Sequence, residues 1–191
     1  HVEARTYDVR GRLATITDAN DGVTGHAYDV FGRLVQRTTP DGGSATAAYV
    51  NWGNPGTQHV MTAIADGTAD GLWTQTYLDG LGRTVREVRE GGITTDTGYD
   101  GRGLVARRSA PYLTGATPVW TTTTYDAVRR PLTVTEPDGA VTTTTYGNGR
   151  VSTTDARGLV TDRTYDGYRQ LVQVVERTAT PQTTTVSYDL L

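Results

Sequence analysis

The side chains of this 191-residue sequence that could do chemistry are its carboxylates, arginines and tyrosines. Asp8, Asp29, Asp100, Asp126, Asp166 and Asp189 each directly follow a tyrosine, and Asp79 stands two places after Tyr77. Two carboxylates placed together can act as general acid and base. A catalytic pair need occur only once, however, so an aspartate that recurs along the chain reads as a turn residue bonding backbone N–H groups. The tyrosines could stack against sugars, but regularly spaced aromatics read as packed between neighbouring hairpins with their hydroxyls satisfied. All 18 basic residues are arginine, set against 21 acidic residues. They could line a surface for anions; the plainer reading is charge balance through solvated or cross-strand pairs.

Other chemistries find little support. Asp18-Ala19-Asn20-Asp21-Gly22 faintly resembles a calcium loop, but its glycine falls one place early and no bidentate glutamate closes it. His1, His26 and His59 share no ligand spacing, and Ser44, Ser109, Ser152 and Ser187 sit in no Gly-x-Ser-x-Gly elbow. No phosphate-cradling glycine motif appears. The absence of cysteine excludes disulfides, a zinc ribbon and a thiol nucleophile. No residue is therefore assigned to catalysis, a cofactor or a metal. A net charge of −3 argues against nucleic acid as a partner. No apolar run approaches the roughly 18 residues of a spanning helix, and the first residues are not a signal peptide.

The elements that carry these side chains repeat. Tyr7, Tyr28, Tyr49, Tyr77, Tyr99, Tyr125, Tyr146, Tyr165 and Tyr188 are separated by 21, 21, 28, 22, 26, 21, 19 and 23 residues. A glycine and an arginine follow closely, as in Gly11-Arg12, Gly32-Arg33 and Gly82-Arg83, while Tyr49 and Tyr146 lack the aspartate. Each unit reads as a strand end, a turn whose glycine can take positive φ, and an alternating stretch such as Leu132-Thr133-Val134-Thr135-Glu136. A second turn, such as Pro40-Asp41-Gly42-Gly43 or Pro137-Asp138-Gly139, returns the chain through threonine-rich residues to the next tyrosine. Threonine, with 37 copies, suits a pleated, half-wet surface. The pattern predicts an all-β array over 1–191 of antiparallel hairpins about 21 residues long, with essentially no helix. Longer loops or lengthened hairpins are expected at about 50–76 and 109–124. The chain is also long enough to bury a core if it folds as one unit.

Tyr28-Asp29-Val30-Phe31-Gly32-Arg33-Leu34 and its copies at Tyr7 and Tyr77 resemble the Rhs repeat, also called the YD repeat. That repeat occurs in bacterial Rhs polymorphic toxins, wall-associated relatives, Tc toxin B and C subunits and teneurins. The resemblance covers about residues 5–191. It implies a curved sheet spiralling into a hollow shell around a C-terminal cargo, often a toxin. This segment would then be non-catalytic wall, partnered by the rest of its parent chain, and secreted or at the cell surface. A surface adhesion or glycan-binding module is the alternative. The family's self-cleaving aspartate signature is absent, and the lack of lysine points to a high-GC bacterial source. The copies at Tyr99, Tyr125 and Tyr165 depart from the pattern, which weakens any one-to-one structural role there but not the resemblance. The array starts and stops in mid-repeat, from which a parent continuing on both sides and edges prone to associate are expected.

Overall fold

The computed structural model describes residues 4–65 and 72–188. His1, the Asp-Gly pairs at 66–67 and 70–71, and Asp189 lie outside the described residues. In chain order the strands are β1 (Ala4–Tyr7), β2 (Leu13–Thr17), β3 (Val23–Tyr28), β4 (Leu34–Thr38), β5 (Ser44–Val50) and β6 (His59–Ala65). There follow β7 (Leu72–Leu78), β8 (Thr84–Arg89), β9 (Ile93–Tyr99), β10 (Val105–Ser109), β11 (Tyr112–Leu113) and β12 (Trp120–Tyr125). The last are β13 (Pro131–Thr135), β14 (Val141–Gly147), β15 (Arg150–Thr154), β16 (Val160–Tyr165), β17 (Leu171–Glu176) and β18 (Gln182–Thr185). Among the described residues a single 3-10 turn, Glu90–Gly92, is the only helical element.

The strands fall into two compact units, His1–Asp96 with Pro111–Thr117, and Thr97–Ala110 with Pro118–Leu191. In the first, β1 to β9 pair antiparallel in sequence order, and β11 pairs back on Ile93 and Thr94 of β9. In the second, the end of β9 pairs with β10, β10 with β12, and β12 to β18 run as a meander. Threonines meet across the ladders, as in Thr124↔Thr133↔Thr143↔Thr154, and the Thr124 and Thr133 hydroxyls bond at 2.6 Å. Such cross-strand pairs are what hold a sheet together laterally. Residues 50–76 hold β6 and most of β7, and residues 109–124 hold β11.

Among the described residues no hydrophobic side chain is buried; those that are buried are Gln58, Thr94, Asp96, Ser109 and Asp162. The strands pair edge to edge, and their contacts follow the ladder order, so among the described residues no second layer covers the strands of either unit. Apolar side chains are shielded only by neighbours on their own face. A two-layer core needs a packing partner that neither unit supplies from within itself.

The turns are more uniform than the sequence predicts. Ten of them share one pattern, in which residue i donates its N–H to the carbonyl of i+4 and accepts from the N–H of i+3. They start at Asp8, Asp18, Asp29, Thr39, Asp79, Asp100, Asp126, Glu136, Asp155 and Asp166. Position i+3 takes positive φ every time: Gly11, Gly32, Gly42, Gly82, Gly103, Gly139 and Gly158, but also Asp21, Arg129 and Arg169 at 60°, 71° and 65°. The turns after Tyr99, Tyr125 and Tyr165, whose sequences depart from the repeat, therefore keep its backbone geometry. The ladder bonds on either side compel the left-handed residue even where a side chain makes it strained.

Candidate functional site

The recurring Asp, Arg and Tyr side chains converge at one end of the hairpins. Asp8 Oδ1 accepts the N–H groups of Arg10 and Arg12 at 2.8 and 2.9 Å. Asp29 does the same for Phe31 and Arg33, Asp79 for Leu81 and Arg83, and Asp100 for Arg102 and Leu104. Asp126 takes Val128 and Arg130, and Asp166 takes Tyr168 and Gln170. The turn starting at Asp155 is built likewise, from Arg157 and Leu159, although Thr154 stands where a tyrosine would mark it. Asp18 Oδ1 is similarly taken up by Asn20 and Gly22.

The other carboxylate oxygen holds an arginine. Arg12 Nε donates to Asp8 Oδ2 at 2.7 Å, Arg33 to Asp29 at 2.6 Å, Arg83 to Asp79 at 2.8 Å and Arg130 to Asp126 at 2.7 Å. The Arg12 N–H, helped by its guanidinium and the Arg10 N–H, holds the Asp8 carboxyl below its ordinary value. The i+4 N–H leads the same lowering at Asp79, Asp100 and Asp126, and the Arg157 guanidinium leads it at Asp155. A carboxylate whose lone pairs are filled and whose pKa is depressed is a poor general acid or base near neutral pH.

Three of these arginines, Arg12, Arg33 and Arg130, also reach the next repeat. Arg12 lies 4.6 Å from the Tyr28 ring centre and donates from Nη1 to the Asp29 carbonyl at 3.1 Å. Arg33 lies 3.8 Å from the Tyr49 ring and 5.3 Å from Phe31 and Trp52, and Arg130 lies 4.0 Å from Tyr146. In the Asp100 turn, where Gly and Arg are transposed, Arg102 at i+2 pairs with Asp100 and donates to the Asp126 carbonyl at 2.6 Å. The planar guanidinium groups of Arg12, Arg33, Arg102 and Arg130 thus join a carboxylate in their own turn to a ring or carbonyl in the following one.

Tyrosine closes the unit. Directly after the turn the returning strand bulges: Thr6↔Thr15 is followed by Tyr7↔Leu13, leaving Ala14 as the extra residue. Val35, Leu132 and Val172 are extra in the same way. The ladder to the following strand stops short here, so that β2 and β3 pair only from Thr15↔Gly25 onward. The Tyr28 hydroxyl donates to the Leu13 carbonyl at 3.0 Å. Tyr125 does so to Val105, Tyr146 to Pro131 and Tyr188 to Leu171, at 2.8 to 3.0 Å. Backbone carbonyls left out of a ladder need a donor, and the next repeat's tyrosine supplies it. Tyr77 lies beside the first insertion; its hydroxyl bonds Gln75, and its ring stacks 4.6 Å from His59. Tyr7, Tyr99 and Tyr165 end β1, β9 and β16, and Tyr49 stands one residue before the end of β5.

Two buried carboxylates lie outside this series, and nothing in the repeat spacing marks them. Asp96 accepts from Arg86 at 2.6 and 2.9 Å and from the Tyr112 hydroxyl at 2.6 Å. Asp162, 3% exposed, accepts from the Ser152 hydroxyl and pairs with Arg150 and Arg177. The Ser152 hydroxyl, then the two guanidinium groups, hold it far below the usual carboxylate range. Strand alternation could have placed Ser152 and Asp162 on one face, but only once their register was known. Among the described residues no group of three potential ligands is arranged for a metal, and no helix is long and apolar enough to cross a membrane.

Residues 7–44 match the family model described as RHS Repeat. A crystal structure of TcdB2-TccC3 is similar over 98% of this chain and 14% of that one, at 17% identity and a TM-score of 0.79. A structure of TcdB2-TccC3-Cdc42 is similar over 98% of this chain and 12% of that one, at 16% identity and a TM-score of 0.56. A Photorhabdus luminescens Tc holotoxin pore is similar over 92% and 12%, at 14% identity and a TM-score of 0.50. The chain therefore spans only a small part of the chains it resembles. No curated protein sequence matches it. Residues 7–44 therefore carry an Rhs repeat, and the Tyr-Asp turn that marks it recurs along the rest of the chain.

Proposed function

We propose that this chain is one repeat array forming non-catalytic wall in the β-shell of a longer exported protein, where it helps to enclose a C-terminal cargo. The observation that supports the reading is the linkage from repeat to repeat. Arginine and tyrosine bonds tie successive hairpins together, while no apolar core forms among the described residues. Such a sheet gains its cohesion from nearest neighbours, as stacked-repeat proteins do. The tyrosines, aspartates, glycines and arginines of the repeat act in this reading as structural parts, including Asp189 beyond the described residues. Their carboxylates are engaged by N–H donors and arginines, which suits a wall better than a reaction centre. The similarity to Tc toxin structures supports a shell, and the cargo and export are carried over from that likeness.

The test uses the full-length parent protein. Limited proteolysis should leave the region beyond the array protected, and paired Arg12→Ala and Tyr28→Phe changes should expose it. Equal cleavage with and without these changes refutes enclosure. The purified chain should turn over no hydrolase, nuclease or glycosidase substrate; turnover abolished by one point mutation refutes the inert wall. One observation favours glycan binding as a second reading: Phe31 and Trp52 flank Arg33 while remaining 81% and 55% exposed. Retention on a glycan array that is lost in Trp52→Ala would establish it.

A further inference from the structure

The Asp162 cluster forms the floor of a groove of about 420 Å³, lined by Arg150, Thr164, Gln173, Val175, Arg177 and Pro181. Its geometry follows from register. Asp162 stands opposite Ser152 on one side and Val175 on the other, while Thr164 stands between Arg150 and Gln173. Arg150 and Arg177 therefore approach the same carboxylate from opposite flanks and from opposite ends of β16, along diagonals that long side chains can span.

The donors and acceptors do not balance. Both arginines bond Asp162 Oδ2, and the Ser152 hydroxyl takes Oδ1, so the floor has little acceptor capacity left. Two guanidinium groups face one carboxylate, leaving an excess of one positive charge. Only Arg150 Nη2 and Arg177 Nε are engaged, although each guanidinium carries five N–H donors. The two side chains remain 44% and 55% exposed, which keeps their other N–H groups available to the groove. Thr164 and Gln173 add a hydroxyl and an amide at its rim, and Val175 and Pro181 give it apolar walls. Ionised Asp162 also holds both guanidinium planes in place before any ligand arrives. Positioned forks with spare N–H groups suit a planar or tetrahedral oxyanion.

We propose that this groove is a binding site for a small oxyanion, a carboxylate or phosphate group, received by Arg150 and Arg177 with Gln173 at its edge. The Arg86–Asp96–Tyr112 cluster lacks this character, because one carboxylate there is matched by one arginine.

The test is calorimetric titration of the 191-residue chain with inorganic phosphate and, separately, with citrate, against sodium chloride at equal ionic strength. Saturable single-site binding is expected, and the two arms show whether phosphate or carboxylate is preferred. Arg177→Gln and Arg150→Gln should each weaken it at least tenfold. Gln173→Leu, which leaves the Asp162 pairs intact, should weaken it severalfold without changing the fold's circular dichroism. Arg163→Gln, on the same strand but the opposite face, should leave it unchanged. Heats no greater than those with chloride, or equal affinity in Arg177→Gln, Gln173→Leu and the unaltered chain, would overturn the assignment.

Discussion

Replacing Gly82 by alanine isolates the backbone demand of the repeated turn. Gly82 has a φ of +77°, and a Cβ added there meets nothing within 4 Å, so no clash contributes to the cost. An L-residue in the left-handed region costs about 1–2 kcal/mol. Alanine also narrows the unfolded ensemble, which returns about 0.4–1 kcal/mol. The expected net loss is about 1 kcal/mol, or roughly 2–4 °C in Tm for a chain of this size. Gly101 provides the comparison: its added Cβ also meets nothing within 4 Å, but its φ lies outside the left-handed region. Gly101→Ala should therefore be neutral or stabilising. Arg169 occupies the same slot as Gly82 at φ 65°, so Arg169→Gly should stabilise by about 1 kcal/mol. Urea unfolding followed through Trp73 and Trp120 reads a reporter in each unit. Equal shifts for Gly82→Ala and Gly101→Ala, or a loss on Arg169→Gly, would refute the reasoning.

Three further outcomes follow from the linkage between repeats. Tyr146→Phe removes the bond to the Pro131 carbonyl and should cost about 0.5–1.5 kcal/mol in urea unfolding, since a carbonyl outside the ladder loses its donor. Asp8, Asp79, Asp100, Asp126 and Asp155 have folded pKa values below their unfolded ones, so their contribution is complete above about pH 4. It is lost as pH falls through the lowered folded values; acid titration by circular dichroism should show unfolding only below that point, and Asp126→Asn should make the profile shallower. Arg33→Lys keeps the charge but loses the planar contact with Tyr49 and Trp52, so the unfolding midpoint should fall and the Trp52 emission should shift.

The legible part of this protein was local. An aspartate at the start of a turn and a glycine three places on are bonded within five residues, so Asp8 with Gly11 and Asp29 with Gly32 could be read directly. Asp155 escaped because no tyrosine precedes it, although Asp155-Ala156-Arg157-Gly158 carries the same turn chemistry. The left-handed Arg129 and Arg169 escaped for the converse reason: residue type argued against a conformation that the flanking ladder bonds impose.

What only the tertiary structure decided depends on register and on what covers a face. The hydroxyl of Tyr28 reaches Leu13 because a bulge at Ala14 interrupts the ladder, and a bulge leaves little trace in side-chain alternation. Ser152, Asp162, Arg150 and Arg177 meet because three strands align at one register, and a slip of one residue would send them to opposite faces. The absence of a buried apolar core among the described residues was equally hidden. Alternation such as Leu132-Thr133-Val134 states that two faces differ, but whether anything packs against them is a property of the assembled fold. Sequence alone therefore determined the hairpins, their order and most of their turns, because those depend on bonds between near neighbours. Tertiary structure determined how one hairpin grips the next, because that depends on atoms some 15 to 20 residues apart.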